Sequence, residues 1–358
     1  MRILHVIHTP RYSGAEMLVA SLAKIHTEMG HASRVVSINP SEEDFKEVSA
    51  QQKNDGVEWT TPSKKLGRLF RAQFIKKTVA DFCPDITFAH SVIPAAYARL
   101  AGVKNVISVL HSEKNYESGR IKYFEKLLQY RLAGVISVSE VALKNYSKNF
   151  SYPKTKYIPN GISIEGIKRT TAERKSTRNR LGFCETDFVV VQIGRIDLIK
   201  QQHLSLQAMM PVIKDNGSVH LLLAGLVEDN LYLDRLKNIA EDAGITQNVR
   251  FLGPRNDVAD LLAAADLFLM PSLREAQGIA MVEALSAGLP IIASSIQGFQ
   301  FVIGYVGVSL LPPENTEQFT AAIRSVLAQP RRYDRDLHEL DIKDTALAYI
   351  DFATQCTS

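Results

Sequence analysis

Short apolar runs alternate with amphipathic stretches along the chain. Runs at residues 3–8, 34–38, 86–90, 106–111 and 135–138 are bounded by polar or turn residues and read as buried strands. Between them, apolar positions recur at helical spacing over 15–29, 66–82, 94–101, 121–132 and 141–146. Strands separated by helices build βαβ units and a parallel sheet. The pattern restarts at 188–193 and continues through strands at 219–224, 249–252, 267–270 and 290–293. Helices are expected at 202–213, at 231–243, and after Gly278, where Gly288 and Pro290 supply the stop. The stretch 159–177 is polar and turn-rich and reads as a linker; the basic stretch 168–180 reads as a solvated linker and helix. A last amphipathic helix is expected over 342–352. The chain therefore predicts two doubly wound α/β domains, 1–165 and 166–339. Such sheets bind ligands at the carboxyl ends of their strands, so a cleft between two such edges is the expected site.

Composition narrows the class. A chain of 358 residues exceeds one ordinary domain, and 46% apolar with 22% charged residues suits a water-soluble globular protein. Cys83, Cys184 and Cys356 are far apart and form no CxxC, which supports neither a disulfide framework nor a zinc site. The N-terminus is too short and polar for a signal peptide, and no apolar run approaches a membrane span, so a cytoplasmic protein is expected. A net charge of +4 does not imply nucleic acid. The basic residues cluster, however. Lys64, Lys65, Arg68, Arg71, Lys76 and Lys77 interleave with Leu66, Leu69, Phe70, Phe74 and Ile75. At helical spacing this is a basic amphipathic helix, either packing on its own core or docking over 64–77 on an anionic membrane surface.

Three loops carry candidate chemistry. Glu275 and Glu283 stand eight positions apart around Gly278, the first in the loop leaving a strand, the second about one turn inside a helix. The open N–H groups of Gly278, Ile279 and Ala280 at that helix start make an anion site. An anion held by amides between two carboxylates suits a sugar attached to a diphosphate. The plainer alternative is a glutamate favouring the helix dipole by about 0.3–1 kcal/mol. In the first loop, Gly14 begins a helix and could approach a phosphate, or could simply make a turn. In the loop after residues 188–193, Gly194 precedes Arg195, and Lys200 follows at the entry to a helix. Cations are disfavoured at a helix N-terminus, so two of them point to an anionic ligand, a diphosphate. Exposed surface charge is the alternative.

The set Ser13-Gly-Ala-Glu16, His111, Pro159-Asn-Gly161, Gly194-Arg195 with Lys200, Gly253, Pro271-Ser272 and Glu275 with Glu283 resembles the retaining glycosyltransferases of the GT-B fold, family 4. The resemblance covers almost the whole chain in the expected order. It implies two facing Rossmann-like domains, acceptor on the N-terminal one and nucleotide sugar on the C-terminal one, with residues 340–356 crossing back onto the first. Glu283 would hold the ribose hydroxyls, and Glu275 hydroxyls of the transferred sugar. Gly278 and Ile279 would present amides, while Arg195 and Lys200 would hold the diphosphate and stabilise the leaving nucleotide. His111 would lie near the reacting carbon. The chain departs from the family at Ser13, where a glycine is usual, and at Ala276, Gln201 and Phe301.

The resemblance implies transfer from a nucleoside diphosphate sugar, a UDP-sugar foremost, to a glycan or lipid-linked acceptor in cell-surface polysaccharide or lipopolysaccharide synthesis. The site would be cytoplasmic, peripheral on the inner face of the membrane. Preorganised cations and amides at the leaving group take the role a metal has elsewhere, so no cofactor or essential metal is expected. The triplet Asp334-Arg-Asp336 reads as a surface segment. Two other classes remain open: a nucleotide-sugar epimerase or hydrolase on the same scaffold, and a non-catalytic nucleotide-sugar-binding protein.

Overall fold

A computed structural model describes residues 1–11, 13–112, 118–151 and 154–357. The chain divides into two compact units, Met1–Ile162 with Glu339–Ser358, and Ser163–His338.

The first unit runs β1 (Arg2–Ile7), α1 (Gly14–Glu28), β2 (Ala32–Ser37), α2 (Lys46–Asn54), β3 (Glu58–Thr60), α3 (Arg68–Phe82), β4 (Ile86–His90), α4 (Val92–Leu100), β5 (Val106–Leu110), α5 (Gly119–Leu128), β6 (Leu132–Ser137), α6 (Glu140–Asn149) and β7 (Lys154–Tyr157). Its sheet is parallel throughout, in the order β3-β2-β1-β4-β5-β6-β7. β4 and β5 are buried along their whole length, as strands covered on both faces must be.

The second unit runs α7 (Ile164–Ile167), α8 (Thr171–Arg180), β8 (Phe188–Ile193), α9 (Gln202–Asp215), β9 (Val219–Ala224), α10 (Asn230–Asp242), β10 (Val249–Gly253), α11 (Val258–Ala264), β11 (Leu267–Met270), α12 (Ile279–Ser286), β12 (Ile291–Ser294), β13 (Val308–Leu311) and α13 (Thr316–Ala328). Its parallel sheet has the order β10-β9-β8-β11-β12-β13. The closing helix, α14 (Ile342–Thr357), belongs to the first unit and packs on α1 and β6.

Two local expectations fail in part. The stretch 168–180 carries the expected helix and is exposed along most of its length, but not all of its charge is solvated. Thr170 and Glu173 form a reciprocal capping box that starts α8, and Arg178 is buried. Arg174 and Arg178 pair with Asp266 at 2.7 and 3.2 Å, and Arg178 also donates to the carbonyls of Ala264 and Cys184. Asp266 meanwhile accepts from the amide of Val189, so these charges tie α8 to the roots of β8 and β11.

The segment 64–77 is not one basic amphipathic helix. The helix begins at Arg68 and its apolar residues are not confined to one side: Ile75 is buried, whereas Leu69 is 87% exposed and Phe70 is also exposed. Arg71 turns inward to Asn39 Oδ1 (2.9 Å) and the Leu66 carbonyl. The strands missing from the sequence pattern, β3, β7 and β13, are edges, which are half-exposed and carry no continuous apolar run.

Candidate functional site

The two sheets have their order reversal at matching places, between β1 and β4 in one unit and between β8 and β11 in the other. That is where loops leave in opposite directions and a crevice opens. The candidate residues fall at these two points.

In the first unit, a cavity of about 220 Å³ opens at this point, lined by the ends of β1 and β4, by the start of α1 with Glu16, and by His111 just after β5. Gly14 is the first residue of α1. The Ser13 hydroxyl donates to Glu16 there, so the helix start turns a carboxylate as well as amides toward the loop. Tyr12 of that loop lies outside the described residues.

His111 does not stand alone. Its Nε2 lies 3.0 Å from Nδ1 of His90; His90 Nε2 lies 3.0 Å from His5 Nδ1; His5 Nε2 lies 3.2 Å from His26 Nδ1. The chain ends where His26 Nε2 meets the Ala346 carbonyl of α14 at 3.3 Å. Neighbouring rings stack at 5.2–5.4 Å. Burial pushes all four imidazoles down, His111 and His26 to about 4. They are therefore neutral at physiological pH, because a low-polarity interior disfavours the charged ring.

In the second unit, Glu275 sits in the loop after β11 and Lys200 ends a short turn, residues 198–200, after β8. The Lys200 ammonium and the Glu275 carboxylate form a close, largely buried ion pair, and the Ser272 hydroxyl donates to the same carboxylate oxygen at 3.1 Å. A backbone bond from Leu273 N to the Ile199 carbonyl ties the two loops (2.8 Å). Asp197 accepts from the Lys200 amide, and Gln192, itself held by Ser205, donates to the Lys200 carbonyl. Gly298 lies against the Glu275 loop so closely that a Cβ there would come within 2.0 Å of the Glu275 carbonyl oxygen. Gly278 caps α12 with φ +78°, a conformation that favours glycine. Gly278 offers no side chain to cap this helix, and the amides of Ile279 and Ala280 have no intrahelical acceptor.

Glu283 lies one turn further in. Among the described residues its carboxylate has no hydrogen-bond or ion-pair partner, and burial pushes its pKa up to about 7. The residue is half-buried, so water can still reach its carboxylate, and ligand hydroxyls can take that water's place.

Arg195, just after Gly194, departs from expectation. Its guanidinium contacts Asp197 and Glu228, both at 3.4 Å, and is 39% exposed, while Lys200 pairs with Glu275. Each cation thus has a carboxylate beside it, rather than standing uncompensated. The signal for the histidine chain was available in part: two of the expected strands, 86–90 and 106–111, end in His90 and His111. His5 and His26 carried no such signal.

Two parallel sheets with the same order reversal define a scaffold of two doubly wound α/β units. The model of the glycosyl transferases group 1 family matches residues 173–339, and that of glycosyltransferase family 4 matches 12–165. The chain belongs to this family. It is 33% identical over 172 residues to a GDP-mannose-dependent monoacylated alpha-(1-6)-phosphatidylinositol monomannoside mannosyltransferase of Corynebacterium glutamicum, covering 45% of this chain and 44% of that protein. It is 28% identical over 227 residues to the UDP-Gal:alpha-D-GlcNAc-diphosphoundecaprenol alpha-1,3-galactosyltransferase of Escherichia coli, covering 60% of this chain and 58% of that protein. The matches thus span about half the length of these relatives. Among solved structures, Anabaena HepE in complex with UDP and glucose superposes with a TM-score of 0.78 over 99% of this chain and 98% of that one, at 22% identity. WaaG, a glycosyltransferase involved in lipopolysaccharide biosynthesis, superposes with a TM-score of 0.72 over 99% and 98%, at 17% identity. These likenesses establish a GT-B fold.

Proposed function

We propose that the protein is a retaining glycosyltransferase that moves a sugar from a nucleoside diphosphate donor, a UDP-sugar foremost, to a glycan or lipid-linked acceptor. The observation that carries it is Glu283, half-buried and without a partner among the described residues, one turn inside the glycine-capped helix α12. The ribose hydroxyls of a nucleotide supply the donors this carboxylate lacks, and the diphosphate takes the open amides at Gly278 and Ile279. Glu275 accepts from hydroxyls of the transferred sugar. Lys200, already beside it, neutralises charge as the nucleoside diphosphate departs, and Arg195 swings from Asp197 and Glu228 onto the diphosphate. With these cations in place, no metal is required. The acceptor hydroxyl attacks on the face the nucleotide leaves and hands its proton to a phosphate oxygen, with Glu275 binding and not bonding. His111 takes a hydroxyl of a substrate in the cavity of the first unit.

Relatives that use GDP-mannose and UDP-galactose, and a neighbour crystallised with UDP, support a nucleotide-sugar donor. A lipid-linked acceptor implies work at a membrane surface. No helix of the described residues is long and apolar enough to cross one. α5 suits surface contact better than 64–77. It exposes Tyr123, Phe124 and Leu127 beside Arg120 and Lys126, and Tyr130 and Arg131 follow, while the single acid of 118–131, Glu125, is buried against Arg99 (2.7 Å). Aromatic and aliphatic side chains among cations are the composition that settles on anionic lipid. The inner membrane face is the proposed location.

A thermal-shift panel of UDP-, GDP- and ADP-sugars, followed by turnover on lipid-linked acceptors, tests the proposal. We expect one donor to stabilise the protein and the product to keep the donor's anomeric configuration by NMR. Stabilisation by none of them sinks the donor assignment. Release of free sugar without any acceptor favours the epimerase or hydrolase alternative, and a glycosyl–enzyme bond trapped at Glu275 overturns its binding role.

A further inference from the structure

A chain of neutral imidazoles has two ways to order its protons. Each ring nitrogen can donate or accept, but every link needs one of each. In one order, every Nε2 carries the proton and every Nδ1 accepts. In the other, every Nδ1 carries it. With nothing at the ends, the two are equivalent. Here one end is a backbone carbonyl, which only accepts. His26 Nε2, 3.3 Å from the Ala346 oxygen, must therefore be N–H. Its Nδ1 then accepts from His5 Nε2–H, His5 Nδ1 accepts from His90 Nε2–H, and His90 Nδ1 accepts from His111 Nε2–H. The reverse order would set two lone pairs against each other at Ala346.

We propose that His26, His5 and His90 form a tautomer lock, anchored on the Ala346 carbonyl of α14, that fixes His111 as the Nε2–H imidazole and leaves its Nδ1 as a hydrogen-bond acceptor for a substrate hydroxyl. The three are positioning residues; only His111, which lines the cavity at the carboxyl edge, would touch substrate. Burial keeps every ring neutral, so the lock holds across the physiological range. The chain is not a proton conduit. A proton entering at His111 and handed down the line would reach an amide carbonyl, which cannot hold it. His111 therefore selects a donor group on the substrate, such as a sugar hydroxyl, and excludes an acceptor-only group at the same place. Its use on a substrate rests on the glycosyltransferase reading; the tautomer assignment does not.

The experiment is ¹⁵N NMR of the histidine rings in the full chain near neutral pH, without substrate. The expected result is a single His111 tautomer with Nε2 protonated and Nδ1 bare. A protonated His111 Nδ1, or a mixture of the two forms, overturns the proposal. Two variants sharpen it. His26→Phe keeps a ring but removes both nitrogens; it should give a tautomer mixture at His111 and a several-fold fall in kcat, with KM for the donor unchanged. His26→Gln can give its N–H to Ala346 and accept from His5, and should restore both the single tautomer and the turnover. An unaltered His111 in His26→Phe overturns the lock even if activity falls. If His26→Phe fails to fold, the wild-type spectrum still decides. Failure of the glycosyltransferase reading would show separately, as no donor stabilisation and no turnover in the unaltered protein.

Discussion

The two units share a strand order through six positions, and both place their chemistry where that order reverses. They furnish the place in opposite ways. The first unit builds its edge from neutral groups: four imidazoles in one hydrogen-bonded line, all with pKa values pressed down by burial. The second builds its edge from charge: Lys200 on Glu275, Arg195 beside Asp197 and Glu228, and one carboxylate, Glu283, without a partner among the described residues and pushed up to about 7. Equal topology fixes where a ligand meets the sheet. The side chains at that place decide whether it meets an oriented lone pair or a preformed electrostatic field.

The largest test of this contrast is to remove the charge. Lys200→Ala should lower kcat about 10²–10³-fold, since it deletes a preorganised cation at the leaving group and strands Glu275. Arg195→Ala, at a more exposed side chain with two carboxylate neighbours, should cost less, about tenfold. Steady-state kinetics with the cognate donor measures both, and near-normal turnover in both variants would refute the diphosphate assignment. Chelation by EDTA should leave the rate of the unaltered protein unchanged.

Glu283→Gln should separate binding from stability. Donor affinity by calorimetry should fall about 10-fold or more, because a charged acceptor of ribose hydroxyls becomes a neutral amide. Thermal stability above pH 7 should rise by about 1–3 kcal/mol, because the cost of ionising a half-buried carboxyl is gone.

The two edges also predict pH terms of opposite sign. Glu283 has a folded pKa of about 7, above its ordinary 4.5. The folded state then holds a proton the unfolded chain has lost, so its contribution is full below pH 4.5 and disappears as pH rises to about 7. The histidines have folded values below 6.5, about 4 for His26 and His111. The unfolded chain then binds protons the folded one refuses, so their contribution is full above pH 6.5 and is lost as pH falls toward 4. Each ring adds up to about 1.4 kcal/mol per pH unit to that slope. Calorimetry from pH 4 to 8 should show the acid-side slope flatten in His26→Phe and the neutral-side loss vanish in Glu283→Gln. Exchanged or unaltered slopes would dissolve the contrast.

The smallest effect concerns Gln201, buried with φ +50° between Lys200 and α9, where the family often has glycine. Its side-chain oxygen Oε1 has no hydrogen-bond partner among the described residues, and its side-chain nitrogen lies 3.4 Å from Glu314. Gln201→Gly should relieve about 1 kcal/mol of left-handed backbone strain and raise Tm by about one or two degrees.

Much was legible before any coordinates. The apolar runs located the central strands because strands covered by helices on both faces must be apolar throughout. The spacing of Glu275, Gly278 and Glu283 located a strand, a loop and the first turn of a helix, because glycine at a helix cap and a strand root are local properties. The edge strands β3, β7 and β13 were not legible, because pairing on one side leaves no continuous apolar run. The basic stretch 168–180 misled in part because charge in a sequence does not reveal its partner; Asp266, far along the chain, takes Arg174 and Arg178 out of solvent.

The sequence by itself determined the order of the central elements and the types of residue at their ends, since these follow from local periodicity, and its motifs carried the resemblance to the family. Only the tertiary structure decided which groups meet. It took α14 to bring the Ala346 carbonyl to His26, 320 positions away, and β1 beside β4 to bring His5 to His90. A hydrogen-bonded line of rings depends on ångström-scale approach between distant segments, and no local pattern encodes that.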